Sequence, residues 1–534
     1  MRNAEFSFHH PVAFWIGCAL ITAGVFAHAP MFLMGEHTHW QMVGMPMTAE
    51  MWAGMAMIPL GLVLSAYGML PRRPALAPAA GFAPLRFHVA DGVPLNREHW
   101  TLVAVLVVTL AIDVMKPATL GFVMPGLSAE YEIGKSRASL LALCALTGTT
   151  VGSVVWGRIA DRFGRRAAIL LSALMFIGTA ICGAMPSFEW NLAMCFLMGA
   201  SAGGLLPITF TLMAETVPAS HRGWLLVALG GIGTSAGYLL AAGAAAVLEP
   251  MFSWRVLWLL GLPTGAIIIL LNRWIPESPR FLSSMGLHEQ ARALLQRFAG
   301  RRDGVEPDDA AHPGAPVIDE SHPVASTRQL LQGRHAAITW SLLVAGTAWG
   351  LVNFGFLLWL PVNLTELGVD PAGASALLAK SAIYALPGIG LVIWLYHRWS
   401  SFKSLVLFLA LTAGALLVFG ALEATGARSA LLTTLATAAL LVSVSGVIAM
   451  LIPYAAEIYP LRLRGTGSGA IAASSKFGGI VGAGLGVVGF FDNFLASALL
   501  LAAPMAVSAV MLWRSGVETR GFGLEEIQTA IATR

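Results

Sequence analysis

The chain has 534 residues, 57% of them hydrophobic and only 11% charged, with a formal net charge of +4 and a mean hydropathy of +0.74. Soluble globular chains run at about 45–50% apolar and about 25% charged, so a soluble domain, a disordered chain and a fibre are excluded. Apolar runs such as 167–185, 224–248 and 429–453 are continuous over about 20 residues, whereas barrel strands alternate over about 10; the chain reads as an all-α polytopic membrane protein.

In chain order, fourteen spans are predicted. Two lie near 11–34 and 50–70, in an N-terminal extension (1–95) that closes with a Pro/Arg-rich linker carrying Arg72, Arg73 and Arg86. Ala27-His28-Ala29 mimics a signal-peptidase site, but Pro30 and the apolar residues to Met34 favour an uncleaved helix. Between these spans, His37 and His39 with Met42, Met45 and Met47 are the weak candidates for a soft metal such as Cu(I); gap-filling methionines in two extra helices are the plainer account. Six spans follow in 96–275 and six more in 336–515. A polar central loop (276–335), with a disordered link at 303–323, separates them, and a tail (516–534) ends the chain. Within the central loop, Leu287, Ala291, Leu294, Leu295 and Phe298 share one helical face with basic residues opposite, predicting a short helix that packs under the bundle.

With the N-terminus cytoplasmic and the spans alternating, 25 of the 32 Lys and Arg fall inside, so both termini are expected in the cytoplasm. Cys18, Cys144, Cys182 and Cys195 all lie in apolar runs without a CxxC, which predicts no disulfide framework, no thiolate metal site and no cofactor. Nor is there a nucleophile–base set or phosphate loop, and the basic residues follow topology rather than a nucleic-acid surface.

The strongest signal is a duplication. Glu215, Pro218, Arg222 and Gly223 recur 242 residues later as Glu457, Pro460, Arg464 and Gly465; PESPR (Pro276–Arg280) recurs 241 residues later as VETRG (Val517–Gly521). Two six-helix halves with matching loop motifs describe a secondary transporter built from parallel repeats, with its substrate site between the halves near the midplane.

These motifs, together with GRIADRFGRR (Gly157–Arg166), GGLLPITFTLMAETVPASHRG and YAAEIYPLRLRG, resemble the major facilitator superfamily over about residues 96–527. Within it they resemble the metabolite:proton symporters related to sugar porters and aromatic-acid symporters. The resemblance implies two pseudo-symmetric six-helix bundles, with the two extra N-terminal helices outside that pattern. It implies a gating role for Gly157, Asp161, Arg162, Gly164 and Arg165, with Asp161 facing a helix N-terminus of the other half, and for the pairs Glu215/Arg222 and Glu457/Arg464. It also matches Asp113 to an acid used for proton coupling. Two departures stand out: Cys195 occupies the usual arginine position of RxxxG, and the second-half loop motif has decayed to YHRWSSFK (Tyr396–Lys403).

Ionisable groups inside spans are costly and therefore informative. Asp113 and Lys116 share a helical face, as a coupling site or as a static pair; Lys380 and Lys476 lie in later spans, for an intramembrane balance of +2 that attracts anions. Trp349, Asn353 and Tyr384 are candidates to line the same cavity. The expected function is proton-coupled import of a small organic anion, an aromatic or other carboxylate, by a monomer in the inner membrane. Its partners are that substrate, protons and the lipid bilayer, with no nucleic acid. An exporter of drugs or metabolites is the alternative, and a transporter-derived sensor a further one.

Overall fold

The computed structural model describes residues 10–69, 93–285, 287–299, 330–331, 335–366, 369–425, 429–459, 461–520, 527 and 531; the expected link at 303–323 lies outside them, as do Arg72, Arg73 and Arg86. Among the described residues, fourteen helices are long and apolar enough to cross a membrane. They are α1 (Pro11–Thr38), α2 (Ala49–Met69), α3 (Arg97–Glu130), α4 (Lys135–Phe163), α5 (Arg165–Ala184), α6 (Phe188–Thr216), α7 (Ser220–Phe252), α8 (Val256–Trp274), α9 (Ala336–Thr365), α10 (Pro371–Arg398), α11 (Ser401–Ala424), α12 (Ala430–Ile458), α13 (Thr466–Val487) and α14 (Phe494–Ser515).

Local chemistry sets where several of them start. Ser187, Asp370, Ser400, Ser429 and Asn493 each accept a backbone N–H three residues on, capping α6, α10, α11, α12 and α14. Asn96 and His99 exchange bonds reciprocally at the start of α3. There the predicted short helix, His288–Ala299, docks by its buried face of Ala291, Leu295 and Phe298: the Asn96 amide donates to the Phe298 carbonyl at 2.7 Å, and Arg297 pairs with Glu98 at 2.6 Å.

Helices α3–α8 and α9–α14 form two halves that use the same packing device twice. On α6, a Cβ at Gly199 would strike the Ala145 carbonyl of α4; on α9, a Cβ at Gly350 would strike the Ser475 carbonyl of α13. Without an apolar solvent contrast to drive association in lipid, such close backbone approach is what holds helices together. The halves meet along a seam where α7 packs on α10 and α12, and α4 on α13.

The extension is a hairpin laid against α5. Gly17 and Gly24 on α1 face Gly54, Gly61 and Gly68 on α2, each set spaced by seven, so the two backbones run almost in contact; Ile21 and Ile58 then meet Gly178. The connecting segment is tied to the first half by a buried knot. Arg255, fully buried, donates to both Glu130 carboxylate oxygens (2.7 and 3.1 Å) and to the Gly183 and Met185 carbonyls (3.0 Å each), with Trp254 stacked on its guanidinium at 4.6 Å. The Met42 backbone N–H donates to Glu130 Oε1 at 2.8 Å, and Gly44 N–H to the Pro186 carbonyl at 3.0 Å. Met42 packs with Met31 and Met51, flanked by Met45 and Met47, while His37 and His39 are exposed. These methionines therefore occupy an apolar cluster, and among the described residues no three His, Cys, Asp or Glu side chains converge.

Candidate functional site

Three ionisable side chains gather at the seam. Lys116 Nζ lies 3.3 Å from Asp113 Oδ1, one turn apart on α3; both are buried, and the ammonium also sits 4.2 Å from the centre of the Phe176 ring on α5. Lys476 of α13 comes from the other half, within electrostatic reach of Asp113, and donates to the Gly203 carbonyl of α6 at 2.9 Å. That carbonyl is open because the residue four positions on is Pro207, which has no N–H to close the helical bond. Ser153 of α4 donates to the same oxygen at 2.6 Å. A break in α6 at Gly203-Gly204 thus exposes a backbone acceptor at membrane depth and satisfies it from both halves.

Beside this cluster, a cavity of only about 10 Å³ remains, lined by Pro117 and Leu120 of α3, Leu146 and Thr149 of α4, Met198 of α6, and Phe354 and Leu358 of α9. One water needs about 10–15 Å³, so this cavity admits at most one. At one end of the seam Lys135 of α4 donates to Asn363 of α9 at 3.2 Å. Toward the other end, Gly223 at the start of α7 leaves room for the Glu457 carboxylate of α12.

Two expected cavity residues are elsewhere. Lys380 and Tyr384 are exposed, with Ile383, Leu386, Leu391 and Trp394, along one stripe of α10 and do not line the small cavity beside the cluster. The helix buries the opposite stripe, with small residues (Ala374, Ser375, Ser381, Ala382, Ala385) in its first half and Ile389, Val392 and Tyr396 further on. Removing Lys380 leaves one aspartate and two lysines, a balance of +1 rather than +2. Trp349 is buried and spends its indole N–H on the Val444 carbonyl of α12 at 2.8 Å, inside the second half. Asn353 is half-buried in a π-helical turn, Val352–Leu357, and its neighbour Phe354 reaches the cavity.

The loop motifs meet at one end of the bundle, and the duplication there is physical. In the first half, Glu277 accepts the backbone N–H groups of Arg165 (2.7 Å), Arg166 (3.3 Å) and Ser278 (2.9 Å), capping α5, and the Ser278 hydroxyl donates to Glu215. In the second half, Glu518 accepts the N–H groups of Ser401 (3.0 Å), Thr519 (3.1 Å) and Arg520 (3.0 Å), capping α11, and the Thr519 hydroxyl donates to Glu457 at 2.6 Å. Carboxylates suit helix N-termini because the dipole and free N–H groups favour negative charge. Burial pushes the Glu277 carboxyl up to about 7, whereas burial at Glu518 is outweighed by bonds from Ser400, Ser401 and Arg520 that hold it below the usual range. Gly164, at φ +104°, has no space for a Cβ beside Glu277.

Glu215 receives Arg165 at 3.5 Å, and Glu457 accepts the Tyr396 hydroxyl of the decayed motif at 2.9 Å. Arg222 donates to the Val217 carbonyl at 3.3 Å, and the Arg464 side chain lies outside those described. Asp161 does not face the other half: its side chain is 79% exposed and reaches only Arg165, at 3.7 Å. Arg162 lies over the Phe163 ring at 5.4 Å, and Gly157 has open space around it.

The family profile described as Major Facilitator Superfamily matches residues 106–483. The chain belongs to this superfamily. It is a membrane transporter of the alternating-access type, and the seam between its halves is where such a protein binds its cargo. The "Niacin transporter NiaP" of Acinetobacter baylyi is 28% identical, over 82% of this chain and 98% of that protein. The "4-hydroxybenzoate transporter PcaK" of the same organism is 27% identical (79% and 92%), and the "Gallate transporter" of Pseudomonas putida 26% (74% and 86%). Among solved structures, the xylose transporter XylE of E. coli in a partially occluded inward-open conformation aligns at a TM-score of 0.63 with 17% identity, covering 80% of this chain and all of that one, a likeness of fold alone.

Proposed function

We propose that this transporter imports a small organic anion, an aromatic carboxylate, together with a proton. The observation that carries the reading is the buried seam cluster, in which Asp113 faces two lysines from opposite halves and one positive charge is left unmatched. A substrate carboxylate supplies that charge. As it enters, it competes with Asp113 for the lysines, and a buried carboxylate losing its cation takes up a proton. Lys476 releases the Gly203 carbonyl to bind the anion, which frees the seam to open on the other side. Phe354 and the apolar cavity wall suit the aromatic body of the cargo, in keeping with relatives named for niacin, 4-hydroxybenzoate and gallate. The charge bias of the loops supports a motif end, and both termini, in the cytoplasm of a monomer in the inner membrane.

The test is uptake of labelled benzoate, 4-hydroxybenzoate, nicotinate and short aliphatic acids into proteoliposomes with an inside-alkaline gradient. Gradient-driven accumulation of one aromatic acid is expected. Asp113→Asn should abolish accumulation while sparing counterflow exchange, and Lys476→Met should abolish both. Movement of neutral or cationic compounds only, or accumulation unaffected by Asp113→Asn, overturns the reading and leaves export as the working model.

A further inference from the structure

A second cavity, of about 360 Å³, opens on the outer flank of the second half at the motif end, far from the seam. It lies between the first turn of α9 and the last turn of α14, so its depth is that of lipid head groups. Its lining is mostly apolar, from Ile338, Met511, Val517 and the tail residue Ile531, with the exposed Ala337 and Arg514 beside them; the hydroxyls of Ser341 and Ser515, 2.8 Å apart, donate to the Ala337 and Met511 carbonyls (2.8 and 3.0 Å). Trp340 lines the opening and is half exposed, and Trp513 beside Arg514 is exposed further. Among the described residues Arg514 has no carboxylate partner, and the nearest acid in sequence, Glu518, is spent on α11.

We propose that this cavity holds the head group and upper acyl chain of an anionic glycerophospholipid. One exposed cation suits the phosphodiester, the two serine oxygens can accept from the hydroxyls of a glycerol head group, and the apolar lining suits the first methylenes. Tryptophans at this depth are the usual neighbours of head groups. A soluble phosphate compound matches the cation but would leave the apolar lining in contact with water. The inference does not depend on the cargo or on coupling at the seam. A lipid fixed there spans α9, which lines the substrate cavity, and α14, which does not, so it can alter the opening of the second half.

The test uses delipidated full-length protein in detergent. Native mass spectrometry would count adducts of palmitoyl-oleoyl phosphatidylglycerol and, at equal concentration, of the phosphatidylcholine with the same chains. Wild type should prefer the anionic lipid, and Arg514→Gln should cut that preference roughly five- to tenfold, the scale of one basic group at a membrane surface. Arg273→Gln, at the rim of the first half, should not. A photoreactive phosphatidylglycerol should label the segments around Trp340 and Arg514, and melting curves would show that Arg514→Gln is folded. Equal retention by Arg514→Gln, no preference over phosphatidylcholine, or labelling elsewhere would overturn the proposal. So would displacement of the lipid by glycerol 3-phosphate, which would assign the site to a soluble anion.

Discussion

Replacing Arg255 by Met tests how the extension is held. The guanidinium is fully buried and makes two bonds to Glu130, two to backbone carbonyls and a stacking contact with Trp254. Methionine fills much of the volume, so the main loss is electrostatic: Glu130 is left buried without its cation, a situation that costs about 3–5 kcal/mol. Glu130 also holds the Met42 backbone N–H, so the segment joining α1 to α2 should loosen with it. The assay is unfolding in mixed micelles with increasing denaturing detergent, alongside protease access to residues 39–48. Arg255→Met should lose stability on that scale and become cleavable, whereas Arg255→Met with Glu130→Leu should recover more than half, because replacing a whole buried pair by apolar groups is often neutral. A double variant as unstable as the single, or a single variant within about 1 kcal/mol of wild type, would refute the reasoning.

The raised carboxyl of Glu277 gives a pH signature. Its folded value, about 7, lies above the ordinary glutamate value, so the folded state binds the proton more tightly and stability falls as pH rises from about 4.5 through 7. Melting temperature between pH 5 and 8.5 should decline on this account in wild type, and the slope should flatten in Glu277→Gln; identical slopes would rule the assignment out. In the extension, Gly61→Leu should push α2 away from Gly17 and Ile21. A disulfide between native Cys18 and a cysteine replacing its neighbour Ser65 should then fail to close, while transport by the seam persists; efficient closure would show that the glycine contact is dispensable.

How much of this was legible beforehand depends on whether a signal is carried by order along the chain or by direction around a helix. Span lengths and the repeat are matters of order, so fourteen helices were expected and fourteen are seen, and the offset of 241 between Glu277 and Glu518 turns out to mark two equivalent helix caps. Direction is harder to read, because a membrane helix is apolar on both its lipid and its bundle faces. Lys380 and Tyr384 were therefore placed inward, although the small residues of α10 already marked the buried side. Arg255 looked like a loop charge because only its distant partner Glu130 makes it internal. The seven-residue spacing of Gly17 with Gly24, and of Gly54 with Gly61 and Gly68, was a usable sign of the α1–α2 contact. Gly203 had its own sign in Pro207, since a proline four residues on always leaves a carbonyl in need of a donor.

The void of about 10 Å³ beside the cluster bears on leakage. Hydrogen ions cross a bilayer through continuous files of water, and a space that admits at most one molecule cannot support such a file. Where the seam narrows to that space, the acid and its two lysines sit without room for a file of water beside them. Leakage should therefore track turnover, rising when cargo pries the halves apart.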